Sequence, residues 1–547
     1  MIFRRSPDQL FRLDAGGEID RLAPLPFTFD GKPYMGFKGD TLASALLANG
    51  VRLVARSFKY HRPRGIYSAG PEEPNALVEL RGDGRHEPNT RATTIELFSG
   101  LDARSQNRWP NLLLDVMQGN ALLSPVLVAG FYYKTFMGLP GWHFYEHFIR
   151  KAAGMGTGTT LADPDAYDKM HAHSDVLVIG GGPAGIAAAL SAGRSGARVI
   201  LLEESDALGG RLRSDRETLD AKPAMEWVRA TTAELEGLDN VTVMTRTMGF
   251  GYYDGNVVAA VERVSDHLAT PPEHAVRQRL WHFRNKRVVI AAGATERPLV
   301  FADNDRPGIM LASAARTYVN RFAVQPGKRA VVFANNDDSY ATALDLARAG
   351  ITVHALVDSR KGGNAALKQR VEAAGIKCLT GSAVIGTHGY LGLNSVDIAP
   401  ISDDGTMVTG DAWNLSCDFL AISGGWSPNV HMHSHAGGRP VYKKEITAFV
   451  PGESRQSERS AGASAGVLGL AECLTQGAAI GAEAANLLGF GAKTIEVPKS
   501  EALDTTPVKV LWRVPGPGKK YVDLQDDVTS SDVELAHREG YISVEHL

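Results

Sequence analysis

Three glycines have the Gly-x-Gly-x-x-Gly spacing that is typical of turns whose main chain binds a dinucleotide. Gly180, Gly182 and Gly185 follow the apolar run 176–179, and an alanine-rich helix pattern continues from them to about Arg194. In such a strand–turn–helix unit the first glycine permits a tight turn, the second lets the backbone approach a pyrophosphate, and the third lets helix and strand pack closely. The helix begins there, so its unpaired N–H groups would face the phosphates. The spacing therefore predicts a dinucleotide site.

Acidic residues follow the next predicted strand. Glu203 and Glu204 come directly after the apolar run 199–202, about twenty residues beyond the glycines, where a carboxylate accepts from ribose hydroxyls and disfavours NADP. Four further residues close to the motif are expected to line the site: Pro183, Ala184, Gly210 and Arg211. The alternative interpretation is a tight βα turn that binds no nucleotide.

A second strand–helix–strand pattern lacks the glycines. Its strands are predicted at 330–333 and 351–356, and the turn from Ala334 to Ser339 reads ANNDDS. Residues with side chains replace the glycines there, so the side chains would crowd a pyrophosphate. The negative charges of Asp337 and Asp338 would also repel it. We therefore expect no standard NAD(P)H binding at this turn, and we expect the two acids to act as helix caps.

Composition excludes several functional classes. The chain has 547 residues, 44% hydrophobic and 22% charged, with a net charge of -3, which suits roughly three or more domains and gives no basic excess for nucleic acid. Cys378, Cys417 and Cys473 lie far apart, so neither a disulfide framework nor a zinc site is expected. The N-terminus is too charged for a signal peptide, and no apolar run reaches the ~18 residues of a membrane span. A cytoplasmic protein without a metal site is predicted.

The first 95 residues have the pattern of a small β-rich module. The stretch 27–34 predicts a hairpin, and 39–50 predicts a short helix. A basic and aromatic run without acids follows at 52–71. It is either an electropositive surface for a cofactor phosphate or an acidic partner, or a solvated loop with no specific role.

This module carries a resemblance to a known family. The resemblance lies in GDTLASALLANGV (39–51) and RSFKYHRPRGIYSAGPEEPNAL (56–77), which are similar to the alpha subunit of heterotetrameric sarcosine oxidase and related bacterial amine oxidoreductases. In that superfamily the module resembles a plant-type [2Fe–2S] ferredoxin, and cluster-bearing relatives carry C-x4-C-x2-C after R-P-R-G. The three positions here are Ser68, Glu73 and Ala76. The resemblance therefore implies a ferredoxin-like β-grasp fold without iron.

The later chain resembles flavoproteins with two dinucleotide-binding domains. A strand ending at Gly293 is similar to the one whose backbone closes over the cofactor in that family. Where many of its flavoenzymes have a Gly-Asp pair that contacts the flavin, residues 463–466 read Ala-Ser-Ala-Gly. The missing acid favours NAD at the first site, with FAD as the alternative. The last residues resemble the point where the sarcosine oxidase chain continues into a folate-binding aminomethyltransferase-like domain, and Leu547 falls soon after a helix start, which favours truncation.

The expected fold class is α/β, a glutathione reductase-like fold with two dinucleotide-binding domains, preceded by the cluster-free ferredoxin-like module. The expected domains are the module at 1–95, a linker and helical segment at 96–170, the first dinucleotide-binding domain at 171–325 and 415–495, the degenerate second one at 326–414, and a C-terminal connector at 496–547.

The resemblance also implies partners and an activity. In the sarcosine oxidase family, sarcosine is demethylated oxidatively with formation of hydrogen peroxide, and the one-carbon unit passes to tetrahydrofolate. The amine is oxidised on a beta subunit that carries FAD, FMN lies between the alpha and beta subunits, the alpha subunit binds NAD, and small gamma and delta subunits complete the complex. We therefore expect no catalytic residue in this chain, and Lys59 or Arg64 as candidate contacts for the FMN phosphate or the partner.

Alternative functions remain open. One is a related complex that oxidises another N-methyl amino acid or an opine, and another is a free-standing NAD(P)H-dependent flavoprotein reductase. The substituted turn at 334–339 and the absence of a Cys-x-x-Cys pair disfavour the reductase. A nucleotide-stabilised scaffold would overlap with the alpha-subunit function. His143, Tyr145 and His147 invite a metal or catalytic interpretation on a predicted helix at 141–156, but ordinary packing is favoured because no ligand set surrounds them.

Overall fold

The structure, a computed structural model, describes residues 9–124, 127, 134–136, 138–500 and 505–544. The chain divides into two units. Unit 1 comprises Met1–Pro164, Arg297–Gly425 and Lys509–Leu547, and unit 2 comprises Asp165–Glu296 and Trp426–Val508. The domain boundaries expected above stay a prediction.

The described residues form strands and helices throughout both units. The strands are β1 (Asp20–Phe29), β2 (Lys32–Lys38), β3 (Ala55–Arg56), β4 (Pro63–Arg64), β5 (Leu77–Leu80), β6 (Glu87–Arg91), β7 (Leu101–Ser105), β8 (Tyr167–Ile179), β9 (Val199–Leu202), β10 (Thr218–Leu219), β11 (Lys222–Pro223), β12 (Val241–Met244), β13 (Thr247–Tyr253), β14 (Val257–Arg263), β15 (Gln278–Ile290), β16 (Ala294–Glu296), β17 (Ile309–Leu311), β18 (Arg329–Ala334), β19 (Thr352–Asp358), β20 (Lys377–Thr380), β21 (Ser382–His388), β22 (Ser395–Pro400), β23 (Trp413–Ser416), β24 (Phe419–Ser423), β25 (Trp426–Pro428), β26 (Val441–Lys443), β27 (Ala448–Val450), β28 (Glu458–Ser460), β29 (Tyr521–Asp523) and β30 (Val528–Thr529). The α-helices are α1 (Leu42–Ala48), α2 (Trp142–Ala153), α3 (Pro183–Arg194), α4 (Ala224–Glu236), α5 (Ala312–Asn320), α6 (Asp338–Arg348), α7 (Ala365–Ala373), α8 (His431–His435), α9 (Leu470–Asn486) and α10 (Ser530–Arg538).

Unit 1 begins with a β-grasp sheet in the order β2-β1-β7-β5-β6. The β1–β2 hairpin turns at Asp30 and Gly31, whose φ values of 49° and 72° suit a two-residue hairpin turn. Helix α1 begins at Thr41, whose hydroxyl accepts from the Ser44 N–H at 3.2 Å, and every residue of the helix is buried. The expected hairpin and helix are both present.

Unit 1 also contains the second parallel sheet, in the order β17-β24-β18-β19-β20, with helices α5, α6 and α7 between its strands. Strands β18 and β19 lie where the apolar runs predict them; β18 is two residues longer than predicted, and β19 is one residue longer. Continuous apolar strands are typical of parallel sheets that are buried on both faces. The turn between β18 and α6 is the one without glycines.

Unit 2 holds the first parallel sheet, in which β12, β9, β8, β15 and β28 run parallel, and β14 and β13 extend it antiparallel beside β15. Strand β8 starts at Tyr167, nine residues before the apolar run 176–179. Its first half is mostly exposed and polar, and it pairs with β15 from Tyr167↔Gln278 to Asn285↔Ser174. The apolar pattern therefore locates only the buried half of the strand.

No helix among the described residues is long and apolar enough to cross a membrane. The described residues likewise contain no group of three or more His, Cys, Asp and Glu side chains that could hold a metal ion. His143 and His147 are exposed on α2.

Helix α9 packs closely against α3 because it carries glycines at the contact. A Cβ on Gly477 would lie 2.1 Å from the Ala184 carbonyl oxygen, and a Cβ on Gly481 would lie 2.1 Å from the Ala188 carbonyl oxygen. Real Cβ atoms do not come so near to backbone, so the two helices could not keep this separation with alanine at either position.

We therefore predict that Gly481→Ala destabilises unit 2, although alanine is the better helix former by about 1 kcal/mol. Overpacking at the helix contact should outweigh that gain and lower the free energy of unfolding by about 1–3 kcal/mol. Calorimetry should show this loss as a lower Tm. Ala479→Val, at an exposed position of the same helix, is the matched control and should have little effect. A rise in Tm for Gly481→Ala would contradict the close packing.

Candidate functional site

The turn between β8 and α3 needs two of its glycines for the chain's own packing. Gly180 has a φ of 106°, and a Cβ there would lie 2.3 Å from the Ala291 carbonyl oxygen. A Cβ on Gly185 would lie 1.9 Å from the Gly180 carbonyl oxygen. These glycines bring the strand end, the turn and the first turn of the helix together, as the spacing predicts.

Gly182 is different, because none of the described residues near it would clash with a side chain at this position. It is the N-cap of α3 with φ −76° and ψ −177°, a conformation open to any residue. A Cβ there would meet no atom within 4 Å. Pro183 takes the first helical position, and no side chain caps the helix. Main chain, a helix N-terminus and open space thus coincide, which is what a pyrophosphate needs.

Glu203 holds this turn in place. Its buried carboxylate accepts from the Gly181 N–H at 2.8 Å, and its other oxygen accepts from the Ser205 N–H at 2.8 Å and from the Ser205 hydroxyl. The acid therefore ties the end of β9 to the glycine turn. The sequence singled out Glu203 for ribose and did not identify this structural role or its partner Ser205. Carboxylate oxygens have further lone pairs with which to accept from a hydroxyl.

Two more predicted residues lie beside Gly182. The Gly209 N–H donates to the Gly181 carbonyl at 2.8 Å, and a Cβ on Gly210 would lie 3.0 Å from the Gly182 Cα. The Arg211 guanidinium, next along the chain, lies 4.2 Å from the ring centroid of Trp426. A cation is thus held by an aromatic face close to the turn. Trp426 was not identified from the sequence, since it is brought there only by the tertiary fold.

The remaining predicted residues occupy distinct places. Gly293 has a φ of 72°, and its carbonyl accepts from the Asn429 N–H at 3.0 Å. Ala184 is buried beneath α9, so its side chain serves packing and its contribution to a ligand is confined to main chain. Glu204 is exposed, and its carbonyl accepts from Arg263 at 2.6 Å. Of the two acids, Glu203 is the one that contacts the glycine turn.

The closing turn before α9 has no acid. Gly462 has a φ of 65°, and the Ser464 hydroxyl donates to the Ile290 carbonyl at 2.8 Å. This bond anchors the turn to the end of β15. The stretch 463–466 of this turn reads Ala-Ser-Ala-Gly.

The second βα turn is filled by its own side chains and by a later segment. The Asn335 amide donates to the Lys509 carbonyl at 2.8 Å, and the Lys509 N–H donates back to the Asn335 carbonyl at 3.2 Å. The Asn336 amide donates to the Ser423 hydroxyl at 2.9 Å. Both asparagines are buried. Main chain is therefore not open to a phosphate at this turn in the way it is at Gly182.

The two acids of this turn do not cap α6, contrary to the expectation. Asp337 occupies the N-cap, but its side chain makes no capping bond. It pairs instead with Arg360 at 2.8 Å, and Asp338 pairs with Arg316 at 3.1 Å. The Asn336 amide oxygen accepts from the Asp338 N–H at 3.1 Å. Since arginines offset the acidic charge, crowding is the stronger reason against a pyrophosphate here.

The basic run at 52–71 is largely committed to ion pairs within unit 1. The Arg64 side chain is 1% exposed and pairs with Asp305 and Asp527. The expectation that Arg64 contacts FMN or a partner is therefore wrong, because its guanidinium is buried within unit 1. Arg62 pairs with Asp305 at 2.6 Å. Burial alone would raise the pKa of Asp305, but the two arginines hold it well below its ordinary value.

Lys59 is the member of this run that keeps a half-buried, partly accessible ammonium. Its Nζ lies 4.9 Å from the Tyr60 ring centroid, and that of Lys519 lies 4.3 Å from the same centroid. Burial lowers the pKa of both lysines, and for Lys519 the neighbouring Arg62 and Lys59 lower it further. Asp527 and Asp532 act on both ammonium groups in the opposite direction. We call Lys59 and Lys519, which lie against the same ring, the lysine pair.

Comparison with protein families gives three matches. The family described as 2Fe-2S iron-sulfur cluster binding domain matches residues 23–108. FAD dependent oxidoreductase matches 175–237, and Sarcosine oxidase A3 domain matches 517–547. The second match covers the glycine turn and Glu203, and it indicates a flavin or nicotinamide nucleotide cofactor there.

Two curated relatives cover nearly the whole chain. The alpha subunit of sarcosine oxidase from Rhizobium meliloti (strain 1021) is 48% identical over 541 residues, 98% of this chain and 53% of the relative. The protein of the same name from Corynebacterium sp. (strain U-96) is 39% identical over 550 residues, 97% of this chain and 52% of the relative. The chain spans about half the length of these relatives.

A shorter similarity and a solved structure complete the comparison. An opine oxidase subunit of Agrobacterium tumefaciens (strain Ach5) is 30% identical over 190 residues, 34% of this chain and 37% of the relative. L-Proline dehydrogenase from P. horikoshii is similar in structure, with a TM-score of 0.62 and 18% identity over 97% of this chain and 87% of that one. Together with the family matches, this likeness confirms the fold class: a Rossmann-type α/β fold preceded by a ferredoxin-like module.

The two kinds of glycine in the turn predict opposite outcomes for the same substitution. Gly185→Ala should lower the free energy of unfolding by about 1–3 kcal/mol, because its Cβ meets backbone. Gly182→Ala should change it by less than about 0.5 kcal/mol, because its Cβ enters open space. Thermal unfolding of both variants measures this, and equal losses of stability would show that the turn is built differently.

Proposed function

The chain belongs to the sarcosine oxidase alpha subunit family, and on that premise we propose that it is the nucleotide-binding member of a complex that demethylates sarcosine oxidatively to glycine. The proposal includes hydrogen peroxide as a product and transfer of the one-carbon unit to tetrahydrofolate. It rests on 48% identity over 98% of the chain. The observation that carries this chain's own part in it is the open main chain at Gly182.

At the first site we propose NAD, with FAD as the alternative. The diphosphate would lie against the main chain of Gly182 and the N-terminal N–H groups of α3. Glu203, which already orients the turn, would accept from ribose hydroxyls. The Ala-Ser-Ala-Gly sequence at 463–466 supports NAD over FAD, because the acid of the Gly-Asp pair that contacts flavin in many flavoenzymes of this fold is missing. The residues of this site bind and orient a dinucleotide, and they include no general acid or base aimed at a substrate.

The amine chemistry is proposed to lie on partner subunits. A beta subunit would carry FAD, FMN would lie between it and this chain, and small gamma and delta subunits would complete the complex. The lysine pair supports a phosphate contact on this chain, since two half-buried ammonium groups held by one ring suit a phosphoryl group. The pair would hold and position FMN, while FMN itself supplies electron transfer.

A related function has one observation in its favour. The similarity to the opine oxidase protein supports a complex acting on an opine or another N-methyl amino acid, and the substrate would then be chosen in a partner's pocket. A free-standing NAD(P)H-dependent reductase is disfavoured by the packing of Asn335, Asn336 and Lys509 at the second turn, where the reductant would have to bind.

The nucleotide released from the chain tests the first site. We predict that the purified chain, denatured and analysed by mass spectrometry, releases NAD without flavin. Gly182→Leu should abolish retention, because its side chain would fill the pyrophosphate's place, while its circular dichroism stays unchanged and its Tm equals that of the nucleotide-free native chain. Gly362→Leu is the matched control, because Gly362 is an exposed glycine whose Cβ would likewise meet no atom within 4 Å. Stoichiometric FAD would favour the reductase, and retention by Gly182→Leu would show that the assigned site is wrong.

Co-purification from the native source tests the complex. We expect the chain to elute with partners that carry bound flavin, and the assembly to form hydrogen peroxide from sarcosine. Activity with an opine and not with sarcosine would favour the related complex. A chain that elutes alone and oxidises NADH would contradict the alpha-subunit function.

A further inference from the structure

The β-grasp module matches an iron–sulfur family without offering cluster ligands. The three motif positions are Ser68, Glu73 and Ala76, and the chain's cysteines all lie outside the matched range of 23–108. Thiolates hold [2Fe–2S] clusters in this type of module. The residues present therefore do not fit the cluster.

One of these positions holds a carboxylate in an unusual environment. Glu73 is 0% exposed. One of its oxygens accepts from the N–H groups of Tyr67 and Ser68 at 2.9 and 2.7 Å, and the other accepts from those of Asn75 and Ala76 at 2.8 and 3.0 Å. Four backbone donors thus converge on one buried anion. Burial of a charge in this way is tolerated only when hydrogen bonds compensate for the lost water.

We propose that the Glu73 carboxylate has taken the place of the iron–sulfur cluster as the anion around which the loop 66–76 folds. A cluster is itself anionic, and backbone donors to its sulfurs are among the features that tune it. A carboxylate in its position keeps the N–H groups satisfied and removes the redox centre. The loop is then a structural joint, and electrons do not pass through this module.

The loop joins the β-grasp sheet to the second parallel sheet within unit 1. The Tyr318 hydroxyl of α5 donates to the Ser68 carbonyl at 2.8 Å, and the Leu311 N–H donates to the Tyr67 carbonyl at 2.8 Å. On the other side, the Thr93 hydroxyl donates to the Gly70 carbonyl at 2.7 Å. Each of these three contacts ends on a carbonyl of the loop 66–76, and Glu73 orients N–H groups of the same loop. The Glu73 carboxylate therefore fixes both sides of the joint.

The bonding requires a carboxylate and not merely a side chain of that size. An amide has one oxygen and one NH₂, so glutamine would aim a donor at two N–H donors. Burial raises the pKa of Glu73, and its four N–H bonds act against that rise. Aspartate, shorter by one methylene, cannot reach both pairs of N–H groups at once.

Hydrogen exchange of the 547-residue chain tests the proposal. In the native chain the amides of Tyr67, Ser68, Asn75 and Ala76 should be strongly protected. Glu73→Gln should speed their exchange by on the order of ten- to a hundredfold, together with that of Leu311, and should lower the Tm. Glu72→Gln, the exposed neighbour, is the matched control and should change neither. Tyr318→Phe removes the hydroxyl that bonds the Ser68 carbonyl. It should weaken the contact between α5 and the loop, while the four loop amides stay protected.

Two outcomes would overturn the proposal. One is native exchange at the four amides as fast as in an exposed loop, which requires no variant to fold. The other is a stoichiometric cluster, detected by iron and sulfide analysis and by visible absorption, after anaerobic incubation of the wild-type chain with ferrous iron and sulfide. We expect that incubation to leave no bound cluster. Neither test measures nucleotide binding or amine oxidation, so its result does not depend on the proposed function.

Discussion

The constraint on which unit 2 depends is the need for glycine around the start of α3 and where α9 packs on that helix. Gly180 and Gly185 let strand, turn and helix approach to distances that a Cβ would forbid, and Gly477 and Gly481 let α9 lie directly on α3. Glu203 then fastens the turn through its bond to Gly181. Gly182, between these closely packed positions, is a glycine at which a Cβ would meet no atom within 4 Å. The proposed site is the consequence of this arrangement.

The two βα turns of the chain have the same topology and opposite chemistry. At the first, a Cβ on Gly182 would meet no atom within 4 Å and no side chain caps the helix. At the second, Asn335 and Asn336 bury their amides in bonds to Ser423 and to Lys509. Because these two amides fill the turn and bond within the chain, its main chain is less open to a phosphate than that at Gly182. This asymmetry favours a single dinucleotide in a chain built from two such domains.

Local patterns allowed much of this to be predicted. The glycine spacing, the buried strands, the Asp30-Gly31 hairpin and helix α1 all follow from signals within about fifteen residues of one another. The exposed half of β8 was missed because its residues are polar, and only pairing with β15 makes it a strand. Ion pairs are equally hidden from local patterns. Asp337 was expected to cap a helix and Arg64 to contact a partner, but each pairs with a residue distant in sequence, Arg360 and Asp527 respectively. The sequence shows that Glu73 is not a cysteine, but the four donors around it are a property of the folded loop.

A crystal structure of the chain grown with NAD would test the central claim most directly. The account predicts a diphosphate within about 3 Å of the main-chain N–H groups at the start of α3, beside Gly182, and no nucleotide at the turn between β18 and α6. A dinucleotide bound in the usual pose at that second turn, with the first turn vacant under the same conditions, would contradict it.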